Sequence, residues 1–152
     1  MEARLNAQKL SHEPQQAMFA LERYVAKTKL DPGLRHLVKI RASQINGCAF
    51  CIDMHTKEAR ADGETEQRIY ALNAWRETPF FTDRERIALA WAEAVTKISH
   101  GVSDEVYEQA HAEFGDQDLV DLTWAVASIN AWNRMAISFR AVPGDYQPTS
   151  HA

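Results

Sequence analysis

The chain is short of helix breakers and of cysteine: six glycines, five prolines and two cysteines in 152 residues. So few breakers argue against a chain cut into short strands by turn residues, and no convincing strand pattern is found. No apolar run approaches the ~20 residues of a membrane-spanning helix, so no membrane contact is expected. There is no basic stripe: 17 Lys and Arg stand against 21 Asp and Glu, a net charge of −4, and nucleic acid is not an expected partner. No nucleotide, flavin or haem motif occurs, and no bound organic cofactor is expected. The opening residues Met1–Asn6 lack the apolar core of a secretory signal, which predicts a cytoplasmic location. Thiols are reduced there at rest, and disulfides are transient, serving catalysis or redox sensing. Two cysteines are too few for a disulfide-stapled scaffold.

What is present is an ordinary globular composition, 45% hydrophobic and 25% charged, at a length that fits one domain over residues 1–152. Residues 1–11 read as a polar lead-in. A helix is predicted over His12–Lys27, with Met18, Leu21 and Val25 as its apolar stripe. Asp31-Pro32 caps and starts a second helix that reaches Asn46, with Leu34, Leu37, Val38, Arg41 and Ile45 near one side. A third follows to Ala61, stopped by Asp62-Gly63, and a short one covers Thr65–Asn73. Trp75–Phe81 reads as a connector. Thr82-Asp83-Arg84-Glu85 is a capping box, and the helix after it carries Ile87, Trp91, Ala94 and Ile98 before His100-Gly101. Ser103 caps a helix to Phe114, and Gly115 stops it. The last long helix spans Asp116–Phe139, with Leu119, Leu122, Val126, Ile129, Asn133 and Ile137 on one face. The tail after Pro143 is irregular. The fold class is all-α, a bundle of six to eight helices.

The chemistry concentrates in Cys48-Ala49-Phe50-Cys51-Ile52-Asp53-Met54-His55. On a helix the two cysteines and His55 share one face, since residues three and four apart are neighbours. A helical i, i+3 pair is spaced within the range a disulfide tolerates. Asn46-Gly47 breaks the preceding helix and puts both cysteines at the start of the next one. Unpaired N–H groups and the positive dipole end favour a thiolate there. The residues thus describe a dithiol with a proton partner one turn away. Inert buried cysteines are the plainer alternative. A zinc site built from Cys48, Cys51, His55 and His36 would need a second short ligand pair, which the chain lacks, so no metal is expected. Asn130, Asn133 and Arg134, beside an apolar stripe, read as structural or subunit-interface residues. The tryptophans Trp75, Trp91, Trp124 and Trp132 read as core or interface, and His12, His100, His111 and His151 as surface residues.

The run Arg41–His55, with Gly63, Ala74-Trp75-Arg76, Phe81–Arg86 and Ile129–Arg134, resembles the alkylhydroperoxidase AhpD-like group of the carboxymuconolactone decarboxylase family. The resemblance covers roughly residues 20–140. It implies an orthogonal all-α bundle, assembly into trimers or hexamers, and thiol-dependent reduction of hydroperoxides or disulfide exchange with a redox partner. By this likeness Cys51 is the peroxidatic cysteine, Cys48 the resolving one and His55 the relay histidine. The family's relay glutamate lies twelve positions before the first cysteine, where this chain has His36. His36 remains a candidate catalytic residue through which His55 relays its proton, since imidazole also shuttles protons near neutral pH, but it supplies no fixed negative charge. Glu58, Glu85 or a residue of another subunit are the candidates for that charge. The expected partners are a hydroperoxide and an external dithiol. Other roles within reach are reductase of a separate peroxidase, the family's decarboxylase branch, and a redox-sensing oligomer without catalysis.

Overall fold

A computed structural model describes residues 1–148; His151 lies outside the described residues. The described chain is helical, with seven α-helices: α1 (Ala7–Leu10), α2 (His12–Ala26), α3 (Pro32–Asn46), α4 (Ala49–Ala61), α5 (Glu66–Ala71), α6 (Asp83–Thr96) and α7 (Asp104–Phe139). The order and the all-α class match the sequence reading. The local signals account for most boundaries. The Asp31 side chain caps α3 at the Leu34 N–H, with Pro32 as its first residue. Thr82 and Glu85 form the reciprocal capping box that starts α6. Gly115 interrupts α7 with φ 67° and ψ −177°, a conformation essentially confined to glycine, so the two helices predicted on either side of it run on from one another with a kink between.

α3 is the central element, packed against α4, α6 and α7. Its faces serve three apolar clusters. Leu34 and Val38 join Trp91, Leu122 and Val126 on the α6–α7 side. Leu37 and Ile40 join Ala59, Leu72, Trp75 and Leu89. Ala42 joins the two cysteines and Ile129. Each fully buried leucine or isoleucine here contributes about 2–5 kcal/mol by the cost of its truncation to alanine.

Several expectations are corrected by packing. The polar lead-in contains a single helical turn, α1, which the Asn6 side chain caps at the Lys9 N–H. The Trp75–Phe81 connector begins later, because Leu72–Glu77 forms a 3-10 turn that buries Leu72 and Trp75. Ile98 leaves the α6 stripe: α6 ends at Thr96, and Ile98 sits 56% exposed in a following 3-10 turn. Ile137, placed on the apolar face of α7, is also exposed.

Candidate functional site

Gly47 ends α3 in the left-handed region at φ 71°, returning its N–H to the carbonyls of Gln44 and Ser43. The chain then turns directly into α4. Cys48 is not inside the first turn but is its N-cap, and Cys48 Sγ accepts the Cys51 N–H at 3.3 Å. The sulfurs of Cys48 and Cys51 are joined as a disulfide, with Cα atoms 5.4 Å apart. Both residues are buried, among Ala42 and Ile129 and edged by Phe50, Trp132 and Ala136.

His55, one turn beyond Cys51, is also buried. Its Nδ1 lies 2.7 Å from Glu58 Oε2. The second oxygen, Glu58 Oε1, accepts the Tyr146 hydroxyl at 2.6 Å. Burial pushes the His55 pKa down, and the hydrogen bond to the Glu58 carboxylate only partly opposes it, so the imidazole is neutral near pH 7. Burial alone would raise Glu58, but the hydrogen bonds from His55 and Tyr146 and the charge of Lys39 bring its pKa down to about 2. A carboxylate only accepts, so Nδ1 carries the proton of His55 and donates it, leaving Nε2 with a free lone pair. Burial and the Glu58 carboxylate push Tyr146 up to about 12, so its hydroxyl stays a donor.

A second carboxylate, Glu22 of α2, lies within electrostatic reach of His55. It accepts Lys39 Nζ at 2.6 Å and Trp132 Nε1 at 3.1 Å. Glu22, Lys39, Glu58, Tyr146 and His36 line a cleft of about 450 Å³, and neither cysteine lines it. His36 Nε2 is 2.7 Å from Asp62 Oδ2 at the edge of this cleft. The structure therefore gathers Cys48, Cys51 and His55, and gives His55 the carboxylate of Glu58. His36 is set apart with a different carboxylate. Glu85, another candidate for the fixed charge, is engaged with Arg68 and the Thr82 cap. Among the described residues no group of three or more His, Cys, Asp or Glu is placed to hold a metal ion.

A second polar network joins α3, α6 and α7; it is made of amides and hydroxyls, with the Arg134 guanidinium donating to Asn130 Oδ1 at 3.1 Å. Asn46 Nδ2 donates to Asn130 Oδ1 at 2.9 Å and to Asn133 Oδ1 at 2.8 Å. Asn133 Nδ2 donates to Ser43 Oγ at 3.1 Å, and Asn130 Nδ2 to Thr96 Oγ1 at 3.0 Å. These bonds tie the end of α3 to α6 and α7, in keeping with the structural reading of Asn130 and Asn133.

Glu22, Lys39 and Tyr146 were not singled out by sequence reasoning, and Glu58 was one of several candidates. Glu58 did carry a signal, since it follows His55 by three positions on the same helix face. Tyr146 carried none; it is 88 residues from its partner.

Residues 13–94 match the carboxymuconolactone decarboxylase family. The chain is 42% identical over 139 residues to the uncharacterized protein YdfG of Bacillus subtilis, covering 91% of this chain and 95% of that one. The crystal structure of ATU0492 from Agrobacterium tumefaciens, a protein of unknown function placed with the AhpD antioxidant defence proteins, is similar at 46% identity. Its TM-score is 0.91, over 95% of this chain and 100% of that one. An uncharacterized peroxidase-related protein from Ralstonia eutropha, described as an alkylhydroperoxidase AhpD core, matches at 25% identity and TM-score 0.78, over 90% of this chain and 75% of that one. The chain belongs to the carboxymuconolactone decarboxylase family. Within it, this is an AhpD-like protein.

Proposed function

We propose that this chain is a thiol-dependent peroxidase that reduces hydroperoxides through the Cys48–Cys51 pair. The observation that carries the reading is the buried Cys48–Cys51 disulfide, one helical turn from a neutral histidine whose Nε2 is a free base. In the reduced protein His55 takes the proton of the Cys51 thiol. The thiolate attacks the outer peroxide oxygen and breaks the O–O bond; Cys51 becomes a sulfenic acid, and the alkoxide leaves as alcohol with the proton from His55. Cys48 then attacks the Cys51 sulfur, a disulfide closes, and the hydroxyl leaves as water with the Cys48 proton. An external dithiol reopens the pair by exchange and is itself oxidised. Glu58 is the fixed charge that orients His55. His36, standing with Asp62 at the cleft, is not assigned that part.

The second reading within redox chemistry, a disulfide reductase serving a separate peroxidase, uses the same residues and differs in the oxidant. No helix among the described residues is long and apolar enough to cross a membrane, and the reading places the enzyme in the cytoplasm. A homo-oligomer would use the outer face of α7, where Val120, Trp124 and Met135 stand exposed on one stripe.

The test is the intact mass of the reduced protein after one equivalent of an organic hydroperoxide. Loss of two hydrogens, with both thiols gone, is the expected result, and Cys51→Ser abolishes turnover. Thiols that stay free under peroxide but exchange with a partner disulfide move the assignment to the reductase. A Cys51→Ser protein with full peroxidase activity overturns both.

A further inference from the structure

The segment after α7 crosses back over the outer side of α4 and is seated there by a short polar ladder. The Gly144 N–H donates to Asp53 Oδ2 at 3.0 Å. Lys57 Nζ donates to the carbonyls of Gly144 at 2.8 Å and Tyr146 at 3.0 Å, and pairs with Asp53 at 3.0 Å. This seat delivers the Tyr146 hydroxyl to the oxygen of Glu58 that His55 does not use. Each carboxylate oxygen of Glu58 then holds one donor, and the group is fixed from both ends.

The fixing matters because Glu58 borders the cleft, which Arg35, His36 and Lys39 also line. A carboxylate held only through His55 could turn toward the Arg35 guanidinium. The groups facing His55 are Glu58 from its own helix, Glu22 from α2 and Lys39 from α3, with Cys51 one turn before it. Lys39 is committed to Glu22 and Glu22 to Lys39 and Trp132, so neither replaces the tyrosine as the clamp on Glu58. The opposite arrangement, a tyrosine serving as acid at the sulfur, does not fit: Tyr146 lies behind Glu58, in the cleft the cysteines do not line.

We propose that Tyr146 is a positioning residue for the proton relay: its hydroxyl locks Glu58 so that Glu58 Oε2 holds His55 Nδ1–H and leaves His55 Nε2 for the Cys51 thiol. The inference rests on the dithiol reading above, but it is testable without peroxide turnover. The raised pKa of Tyr146 is in keeping with it, since the hydroxyl remains a donor through the working pH range.

The experiment uses Tyr146→Phe, which keeps the ring and the Asp53 and Lys57 contacts and removes only the hydroxyl. In a Cys48→Ser background, where Cys51 alone titrates, the pH dependence of alkylation by iodoacetamide reports thiolate formation. With Glu58 unlocked, the imidazolium that accompanies the thiolate loses its carboxylate, and the midpoint moves to higher pH by about half to one unit. The ring-nitrogen NMR shifts of His55 lose the single Nδ1–H tautomer, while the Gly144 amide resonance, which reports the tail's seat on Asp53, stays in place. An unchanged midpoint with an unchanged tautomer overturns the proposal. If wild-type thiols ignore hydroperoxide while the midpoint still moves, the peroxidase reading fails and the positioning role stands.

Discussion

Two polar networks of this molecule are built differently. In one, Asn46, Asn130, Asn133, Ser43 and Thr96 exchange hydrogen bonds among α3, α6 and α7, with Arg134 donating to Asn130. In the other, His55, Glu58 and Tyr146 form a chain that runs from one turn beyond Cys51 to an open cleft, with the Glu22–Lys39 pair beside it. Amides and hydroxyls do not change charge near neutral pH, so the first network can hold geometry and nothing more. Imidazole and carboxylate can pass a proton, and one end of their chain reaches solvent. Both networks satisfy their polar groups; what separates a scaffold from the proposed relay is whether the members titrate and where the chain ends.

The largest expected effect comes from removing charge from the proposed relay while keeping its shape. Glu58→Gln lowers the rate of disulfide formation with hydroperoxide by about 10²-fold or more, measured by stopped-flow on the reduced protein, with little change in melting temperature. An unaltered rate would remove the distinction between the networks. The converse change, Asn133→Ala, leaves Asn46 and Ser43 short of a partner. It costs about 1–3 kcal/mol in denaturant titration, while the Cys51 thiol of the folded variant titrates as before.

A third expectation follows from the shifts at His55 and Glu58. His55 has a lowered folded pKa, so the unfolded chain binds more protons below its ordinary value of 6.5, and stability falls as pH drops through that region. Glu58 is depressed from 4.5 to about 2, so its contribution is present above 4.5 and is lost as pH falls toward 2. Melting temperatures of the oxidised protein should decline in both windows, and Glu58→Gln should flatten the lower one. The asparagine network adds no slope in either. The smallest effect is expected from His36→Ala. It removes a partly exposed pair with Asp62 and shifts stability by about 0.5 kcal/mol or less, with the thiol titration unchanged.

Local chemistry made the frame readable. Asp31-Pro32, the Asn46-Gly47 break, the Thr82–Glu85 capping box and Gly115 each act within a few residues of themselves, and each falls where the structure has a boundary. The cysteine pair and His55 were legible for the same reason, as neighbours on one helix face. What stayed hidden depends on distant contacts. The α1 turn lies beside an N-terminal stretch pinned by Arg4 to the Phe139 carbonyl. The exposure of Ile98 follows from the end of α6 at Thr96. The choice of Glu58 over Glu85 needed the knowledge that Glu85 is held by Arg68, and Tyr146 needed the path of the tail across α4. At His36 the position matched a motif, but the side chain found Asp62 at the end of another helix.

The capping position of Cys48 has a practical side. Because its sulfur occupies the place where serine is among the preferred residues, Cys48→Ser should start α4 at least as well while stranding Cys51 without its internal partner. A sulfenic acid formed there can then condense only with a thiol from outside, and the adduct has no neighbouring sulfur to release it. The helix start thus offers bait for fishing out the unidentified reductant as a covalent, mass-readable conjugate, from a protein whose fold has not been disturbed to make it.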